Sequence, residues 1–161
     1  RYVDIELILD VESGLKVPNS AIVEKEFFLI PASFVEKGGK NANMGVLRET
    51  YNEDGSVIPE FIEVNIYNEE NEEYYIDDSV LRAGDTLLRT DSNERHTVSK
   101  SGTLVGVYNI NKGYADFKQI QILNQNDEYS IIKSNTKYGL IAYDHIVLDA
   151  ESVNEDEFIY D

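Results

Sequence analysis

The segment Thr103–Phe117 reads TLVGVYNINKGYADF, two largely apolar runs on either side of the tripeptide Asn111-Lys112-Gly113. Asparagine and glycine adopt positive φ at low cost, as a tight hairpin turn requires. The segment therefore predicts an antiparallel β-hairpin, with Gly106 at a point where another side chain packs across the strand. Such a hairpin can line a small barrel. The residues expected on its inner side are Leu104 or Val105, Val107, Ala115 and Phe117.

The same period-two alternation continues on both sides of this hairpin. Apolar residues alternate with polar ones through Val3–Val11 and Phe61–Tyr67, as in half-buried strands. Glu53–Ser56 has the composition of a turn, and only Asn71–Asp78 and Glu151–Phe158 suggest a short helical turn. Many short strands predict an all-β fold, a small β-barrel or sandwich of short antiparallel strands. The other expected strands are Val17–Val23, Phe27–Ile30, Val46–Tyr51, Tyr74–Asp77, Thr86–Arg89, Thr103–Ile110, Tyr114–Phe117, Ile120–Leu123, Tyr129–Lys133 and Ile146–Asp149.

The composition excludes several classes of chemistry. The chain has 161 residues, no Cys, no Trp and a formal net charge of −17 from 31 acidic and 14 basic residues. Without Cys, thiolate catalysis, CxxC redox chemistry, thiolate zinc sites and disulfides are excluded. Affinity for nucleic acid depends on Lys and Arg that neutralise phosphates, so we expect no nucleic acid partner.

The negative charge is concentrated in two zones. Tyr51–Asp78 contains ten carboxylates and no Lys or Arg, and Asp149–Asp161 contains six, again unopposed. The rest of the chain is close to neutral. We therefore expect the segment Pro31–His96, which contains the first zone, to hold what is particular to this protein, such as the contact with a basic partner or with a cation.

The histidines and serines do not form a recognisable catalytic group. Asp144 and His145 are adjacent, and on a strand their side chains would point to opposite faces. Asp144 therefore cannot orient His145 as a general base. His96 lies in a polar stretch that predicts a turn, and the GxSxG motif is absent. Gly102–Gly106 lacks the Lys and the helix of a phosphate-binding loop. The residues thus predict a non-enzymatic domain with no catalytic, cofactor-binding or metal-binding residue.

Two alternative functions remain open at this level. Asn52–Gly55 is similar to the start of a calcium loop, but Thr50 and Phe61 occupy its first and last ligand positions. A β-rich cell-surface binding module with a calcium-responsive acidic face is one alternative. The other is a hydrolase that uses two carboxylates, although the aromatic platforms of sugar clefts usually include Trp.

Three stretches taken together resemble a known family. Ser13–Val23 reads SGLKVPNSAIV and resembles the VPxSAI segment of periplasmic adaptor proteins, also called membrane-fusion proteins, of efflux pumps and haemolysin-type secretion systems. Gly102–Leu123 is similar to the strand pair that follows in that family, and Tyr138–Val147 to its closing segment. The order and spacing match across roughly half of the chain.

The resemblance implies a non-enzymatic, extracytoplasmic adaptor without cofactors. Such a protein docks onto a membrane permease, oligomerises in its full-length form and contacts the membrane through an anchor outside this chain. Residues 1–13 would end an adjoining β-barrel domain, residues 14–30 with 97–161 would form the membrane-proximal module, and residues 31–96 would be an acidic, strand-rich insertion. The residues expected to matter are structural: Gly14, Pro18, Asn19 and Ser20 at the start of a strand, Gly106 and Gly113 in the hairpin, and Gly139 and Asp144 in the final turn.

Overall fold

The structure is a computed structural model that describes residues 4–7, 10–11, 14–111, 113–141 and 144–148. It is an all-β protein in which strands account for 57% of the residues, the sheets are antiparallel and one sheet is nearly closed and barrel-like, which confirms the predicted fold class. The chain divides into two compact units. Unit 1 comprises residues 1–25 and 104–161, and unit 2 comprises residues 26–103.

Sixteen short strands are described. In chain order they are β1 (Ile5–Leu7), β2 (Asp10–Val11), β3 (Gly14–Pro18), β4 (Val23–Pro31), β5 (Glu36–Gly38), β6 (Asn43–Tyr51), β7 (Val57–Glu63), β8 (Ile66–Glu70), β9 (Glu73–Ile76), β10 (Thr86–Leu88), β11 (Arg95–Thr97), β12 (Ser101–Asn111), β13 (Tyr114–Gln119), β14 (Ile122–Gln125), β15 (Tyr129–Ile132) and β16 (His145–Val147). Asn19–Ala21 and Ala32–Phe34 form single 3₁₀ turns.

Unit 1 contains two sets of antiparallel strands. One set has the order β14-β15-β3-β2. In the other set, β12 pairs with β13 and with β16, and β16 in turn pairs with β1. Alternation decides which side chains are inside: Leu15 and Val17 of β3 are buried, whereas Lys16 between them is exposed. The core of this unit consists of Leu15, Val17, Ala21, Val107, Ile120, Ile132, Leu140 and Ile146.

Unit 2 has its own core and its own strand pairs. β9 pairs with β4 and β8, while β6 pairs with β5, β7 and β10, and β10 pairs with β11. The core of unit 2 consists of Ile30, Phe34, Val35, Val46, Val64, Ile76, Leu81, Leu87 and Val98.

Two of the predicted strands are interrupted. The prediction of one strand over Val17–Val23 is wrong, because the Asn19 carbonyl accepts the Ile22 N–H at 3.1 Å and closes a 3₁₀ turn directly after Pro18. The stretch Phe61–Tyr67 keeps its alternation but is divided between β7 and β8. Its first half pairs with β6 and its second half with β9, and the alternation ends at Tyr67, which is buried beside the half-buried Ile66 where the register of β8 shifts.

The predicted helical turn at Asn71–Asp78 is also wrong. Asn71 and Glu72 have φ of 53° and 62°, and they form the tight turn that joins β8 to β9. Two successive residues with positive φ are typical of a hairpin turn whose twist matches that of the strands. The other predicted helical turn, Glu151–Phe158, lies outside the described residues, as do parts of Val3–Val11.

The β12–β13 hairpin has the predicted turn. Gly113 has φ of +85°, which confirms the expectation of a positive angle, and Asn111 pairs with Tyr114 across the turn. Replacing Gly113 with valine should destabilise the protein by about 1–3 kcal/mol, because a β-branched residue is strained at positive φ. Urea unfolding followed by circular dichroism measures the loss. A Gly113→Asn variant should lose less, since Asn tolerates this region of φ; an equal loss would point to a cause other than the backbone angle.

Candidate functional site

The three stretches that resemble adaptor proteins lie in one unit and share one core. Leu15, Val17 and Ala21 come from the first stretch, Val107 and Ile120 from the second, and Leu140 and Ile146 from the third. About eighty residues of unit 2 separate the first stretch from the second along the chain. The site of interest is therefore a set of structural residues in unit 1.

Asn19 is the centre of a polar cluster in unit 1. Its backbone N–H donates to the Glu128 carbonyl at 2.8 Å, and its side-chain Nδ2 donates to the Asn126 carbonyl at 2.7 Å. Its Oδ1 accepts a hydrogen bond of 2.6 Å from the hydroxyl of Ser130. Ser130 is fully buried, so this bond satisfies a hydroxyl that has no access to water.

Gln125 completes the cluster from β14. Its Nε2 donates to Ser130 Oγ at 2.9 Å and to Asn19 Oδ1 at 3.3 Å. The next residue, Asn126, accepts from the N–H groups of Glu128 and Tyr129 through its Oδ1. The cluster thus fixes the turn between β14 and β15 to the 3₁₀ turn after β3. Of its members, only Asn19 was predicted from the sequence as a site residue.

Replacing Asn19 with alanine should destabilise the protein by about 1–3 kcal/mol, since the buried Ser130 hydroxyl loses its acceptor. Ser20 is the matched control, because it is the next residue and is exposed, so Ser20→Ala should change the free energy of unfolding by less than about 0.5 kcal/mol. Chemical denaturation of the two variants measures the difference. Equal effects would show that the Asn19 cluster has no structural role.

Pro18 and Gly14 lie at the two ends of β3. Pro18 is opposite Tyr129 of β15, and its missing N–H is tolerated at the end of the strand. Gly14 has φ of +141°, and a Cβ at this position would lie 3.2 Å from Cγ2 of Ile131 and would overlap the Ile132 carbonyl oxygen. Gly14 therefore allows β3 to pack closely against β15.

Gly139 and Asp144 shape the final turn. A Cβ at Gly139 would lie 2.9 Å from the Gln119 carbonyl oxygen and would overlap Thr136 Oγ1. Asp144 Oδ2 accepts the backbone N–H of Ile141 at 3.0 Å, which closes the turn. Both residues hold the chain that leads into β16.

A small cavity of about 100 Å³ lies beside the Asn19 cluster. Lys16 Nζ is 4.1 Å from the centre of the Tyr129 ring, a cation–π geometry. The cavity offers amide donors and acceptors and one ammonium group. Its lining residues are Lys16, Asn124, Gln125, Asn126, Tyr129 and Ile131.

A larger cavity of about 330 Å³ lies in unit 2, where Arg89 holds two carboxylates. Arg89 donates to both oxygens of Asp91 at 2.8 Å and to Glu94 at 3.1 Å. The hydrogen bonds from Arg89 lower the pKa of Asp91, whereas a general acid needs a raised pKa. Asp91 is therefore not suited to the role of general acid. The cavity is lined by Leu88, Arg89, Ser92, Asn93, Glu94 and Arg95.

Several carboxylates of the acidic zone Tyr51–Asp78 are engaged locally. Glu60 pairs with Arg48 at 3.2 Å, and Glu73 pairs with Lys100 at 2.7 Å. The hydrogen bonds from Ser56 lower the pKa of Asp54 within the β6–β7 turn. Within the described ranges, no group of three or more His, Asp or Glu side chains could hold a metal ion.

His96 lies in β11 and not in the turn that its neighbours predict. Its ring centre is 5.6 Å from that of Phe34, and its Nε2 is buried without a hydrogen-bond partner. Burial lowers the pKa of His96, and the charge of Glu73 opposes this shift. His145, in contrast, is exposed.

The lowered pKa of His96 makes stability depend on pH. Between its folded pKa and about 6.5, the unfolded state binds more protons, so the stability contributed by neutral His96 is present above pH 6.5 and is lost as the pH falls. A His96→Gln variant lacks this loss. Urea titrations from pH 7.5 to 5 measure the free energy of unfolding of both proteins. As the pH falls, this free energy should decrease more for the wild type than for the variant. A constant difference would exclude the effect.

Comparisons with protein-family models, with curated proteins and with solved structures find no match for this chain. In the part of the chain that the structure describes, no helix is long and apolar enough to cross a membrane.

Proposed function

We propose that this chain is the membrane-proximal part of a non-enzymatic, extracytoplasmic adaptor of an efflux or secretion transporter. The observation that supports this proposal is the shared core of unit 1. Three stretches that resemble adaptor proteins, separated in sequence, contribute Leu15, Val107 and Leu140 to one cluster of buried side chains.

The chemistry of unit 1 is consistent with docking. Its polar residues, such as Asn19 and Asp144, hold turns, and its cavity of about 100 Å³ is small compared with common ligand sites. Large apolar side chains are exposed instead, as protein contact surfaces require. In unit 1 these are Tyr114, Ile122, Leu123 and Ile141.

In this proposal the partner is a membrane permease, and the full-length protein forms a homo-oligomer. The module lies outside the cytoplasm, and an anchor beyond this chain supplies the contact with the membrane. The net charge of −17 is compatible with this assignment, because a protein that docks onto another protein has no need of a phosphate-binding surface.

Site-specific photo-crosslinking in cells tests the proposal. A photoreactive amino acid replaces Leu123 or Ile141, which are 53% and 52% exposed, in the full-length protein. We expect both positions to yield an adduct with the same permease, identified by mass spectrometry. Val80 in unit 2, 37% exposed, serves as the matched control and should not yield it. Adducts with soluble proteins alone, or equal yields at Val80, would contradict the proposal.

A further inference from the structure

The hairpin formed by β6 and β7 extends beyond its sheet. The two strands are paired from Gly45–Glu63 to Tyr51–Val57. β10 pairs with β6 only at Leu47 and Arg48. Beyond Arg48, none of the described strands lies beside the hairpin as a third strand, and every residue from Tyr51 to Glu60 is exposed. We call residues 49–60 the arm.

Local contacts keep the arm ordered, although a two-stranded ribbon is only marginally stable by itself. The hydroxyl of Thr50 donates to the Ile58 carbonyl at 2.7 Å, which adds a side-chain bond to the backbone ladder. The turn is closed by the Asn52 N–H, which donates to the Ser56 carbonyl at 2.9 Å, and Gly55 takes φ of +84°. The arm is thus a defined surface.

The tip of the arm presents apolar side chains to solvent. Tyr51, Val57 and Ile58 are 65%, 42% and 40% exposed. Tyr51 and Val57 are directly opposite each other, so their side chains lie on the same face of the hairpin. Together they form an exposed apolar patch at the end of a projecting element.

A hydrogen bond to Glu49 anchors the side chain of Tyr51. Its hydroxyl donates to Glu49, whose side chain is only 4% exposed, and Arg95 Nη1 lies 2.5 Å from Glu49 Oε2. The hydrogen bond to Glu49 raises the pKa of Tyr51, so the hydroxyl stays protonated at neutral pH. An anchored aromatic side chain loses little conformational entropy on binding, and Tyr is enriched among the residues that dominate binding energy.

Carboxylates surround the patch without a counter-charge along the chain. Glu53, Asp54 and Glu60 lie in the arm, and no Lys or Arg occurs between Glu49 and Leu81, although Arg48 pairs with Glu60. Such a surface attracts Lys and Arg side chains, and it repels the phosphates of nucleic acids and anionic lipids. The charge therefore specifies the partner as a basic protein surface.

We propose that the arm is a docking element for a partner protein that presents Lys or Arg around an apolar groove. Tyr51 and Val57 would enter the groove, and the carboxylates would pair with the basic rim. This inference does not depend on the adaptor function proposed above, because it uses only contacts within unit 2.

Amide chemical shifts of the ¹⁵N-labelled chain test the inference, with an alternating Lys-Leu octapeptide as the probe. We expect the peptide to shift the amides of residues 51–60 (Pro59 excepted, as it has no N–H), and expect no shifts with an alternating Glu-Leu octapeptide. The β8–β9 hairpin is an internal control, since Glu69, Glu70, Glu72 and Glu73 carry similar charge without an exposed apolar patch. Equal shifts there would show charge attraction alone and would overturn the proposal.

Two variants separate the patch from the charge. The double variant Tyr51→Ser/Val57→Ser keeps every charge and should bind the Lys-Leu peptide at least about tenfold more weakly. Val80→Ser removes another exposed apolar side chain of unit 2 and should leave the affinity unchanged. Unchanged affinity in the double variant, the absence of any shift in the wild type, or shifts of the arm caused by phosphatidylglycerol vesicles would each overturn the proposal.

Discussion

Replacement of Gly106 with valine is expected to destabilise the protein by about 3 kcal/mol or more, among the larger effects of a single substitution. Gly106 lies in β12 opposite Gln119 of β13. A Cβ at this position would lie 2.8 Å from Cε1 of Phe117 and would overlap the Lys118 carbonyl oxygen. The carbonyl belongs to the backbone of the partner strand, so the overlap can be relieved only by moving β13.

Gly55 provides the matched control for steric overlap. It has φ of +84°, but no heavy atom lies within 4 Å of a Cβ built there. Gly55→Ala should therefore cost only the backbone strain, about 1 kcal/mol. Urea unfolding monitored by circular dichroism compares the two variants. If Gly106→Val cost no more than Gly55→Ala, the close packing of Phe117 against β12 would be wrong.

Truncation of Leu140 to alanine should cost about 2–5 kcal/mol, because it leaves a cavity in the core of unit 1. Leu140 is fully buried and packs in the same cluster as Leu15 and Val107. The adjacent Ile141 is 52% exposed, so Ile141→Ala should change the free energy of unfolding by less than about 0.5 kcal/mol.

The Leu140→Ala variant also tests the observation that supports the proposed function. Amide hydrogen exchange in the Leu140→Ala variant should show faster opening of β3 as well as of β12, because the three stretches share one core. If exchange quickened only near residue 140, the stretches would not form a single cooperative core, and the support for the adaptor proposal would be lost.

Local patterns in the sequence predicted much of unit 1. Alternation placed most of the strands, and the Asn-Lys-Gly turn predicted the positive φ of Gly113. Each of these features depends on residues close together in the chain. The change of partner strand between β7 and β8 was not predictable, because alternation tells which side of a strand is buried but not which strand lies beside it.

Sequence patterns also failed to predict the polar cluster around Asn19 and the exposed arm. Asn19 and Ser130 are separated by 111 residues, and a hydrogen bond between them leaves no periodic signal in the sequence. The acidic zone around Tyr51 was visible in the composition, but the exposure of its apolar side chains depends on where β10 ends. Such features follow from long-range packing and require the structure.

The discontinuous chain of unit 1 has a consequence for the order of folding during synthesis. Leu15 and Val17 leave the ribosome before unit 2, yet their core partners Ile132, Leu140 and Ile146 are made after it. Unit 2, residues 26–103, is continuous and completes its own core before those partners exist. Since domains fold as their chains emerge, the strands of unit 1 that precede unit 2 in the chain wait for these core partners while unit 2 folds. Within these two units, the strands that are made first are therefore protected from proteases and chaperones only after unit 2 has folded.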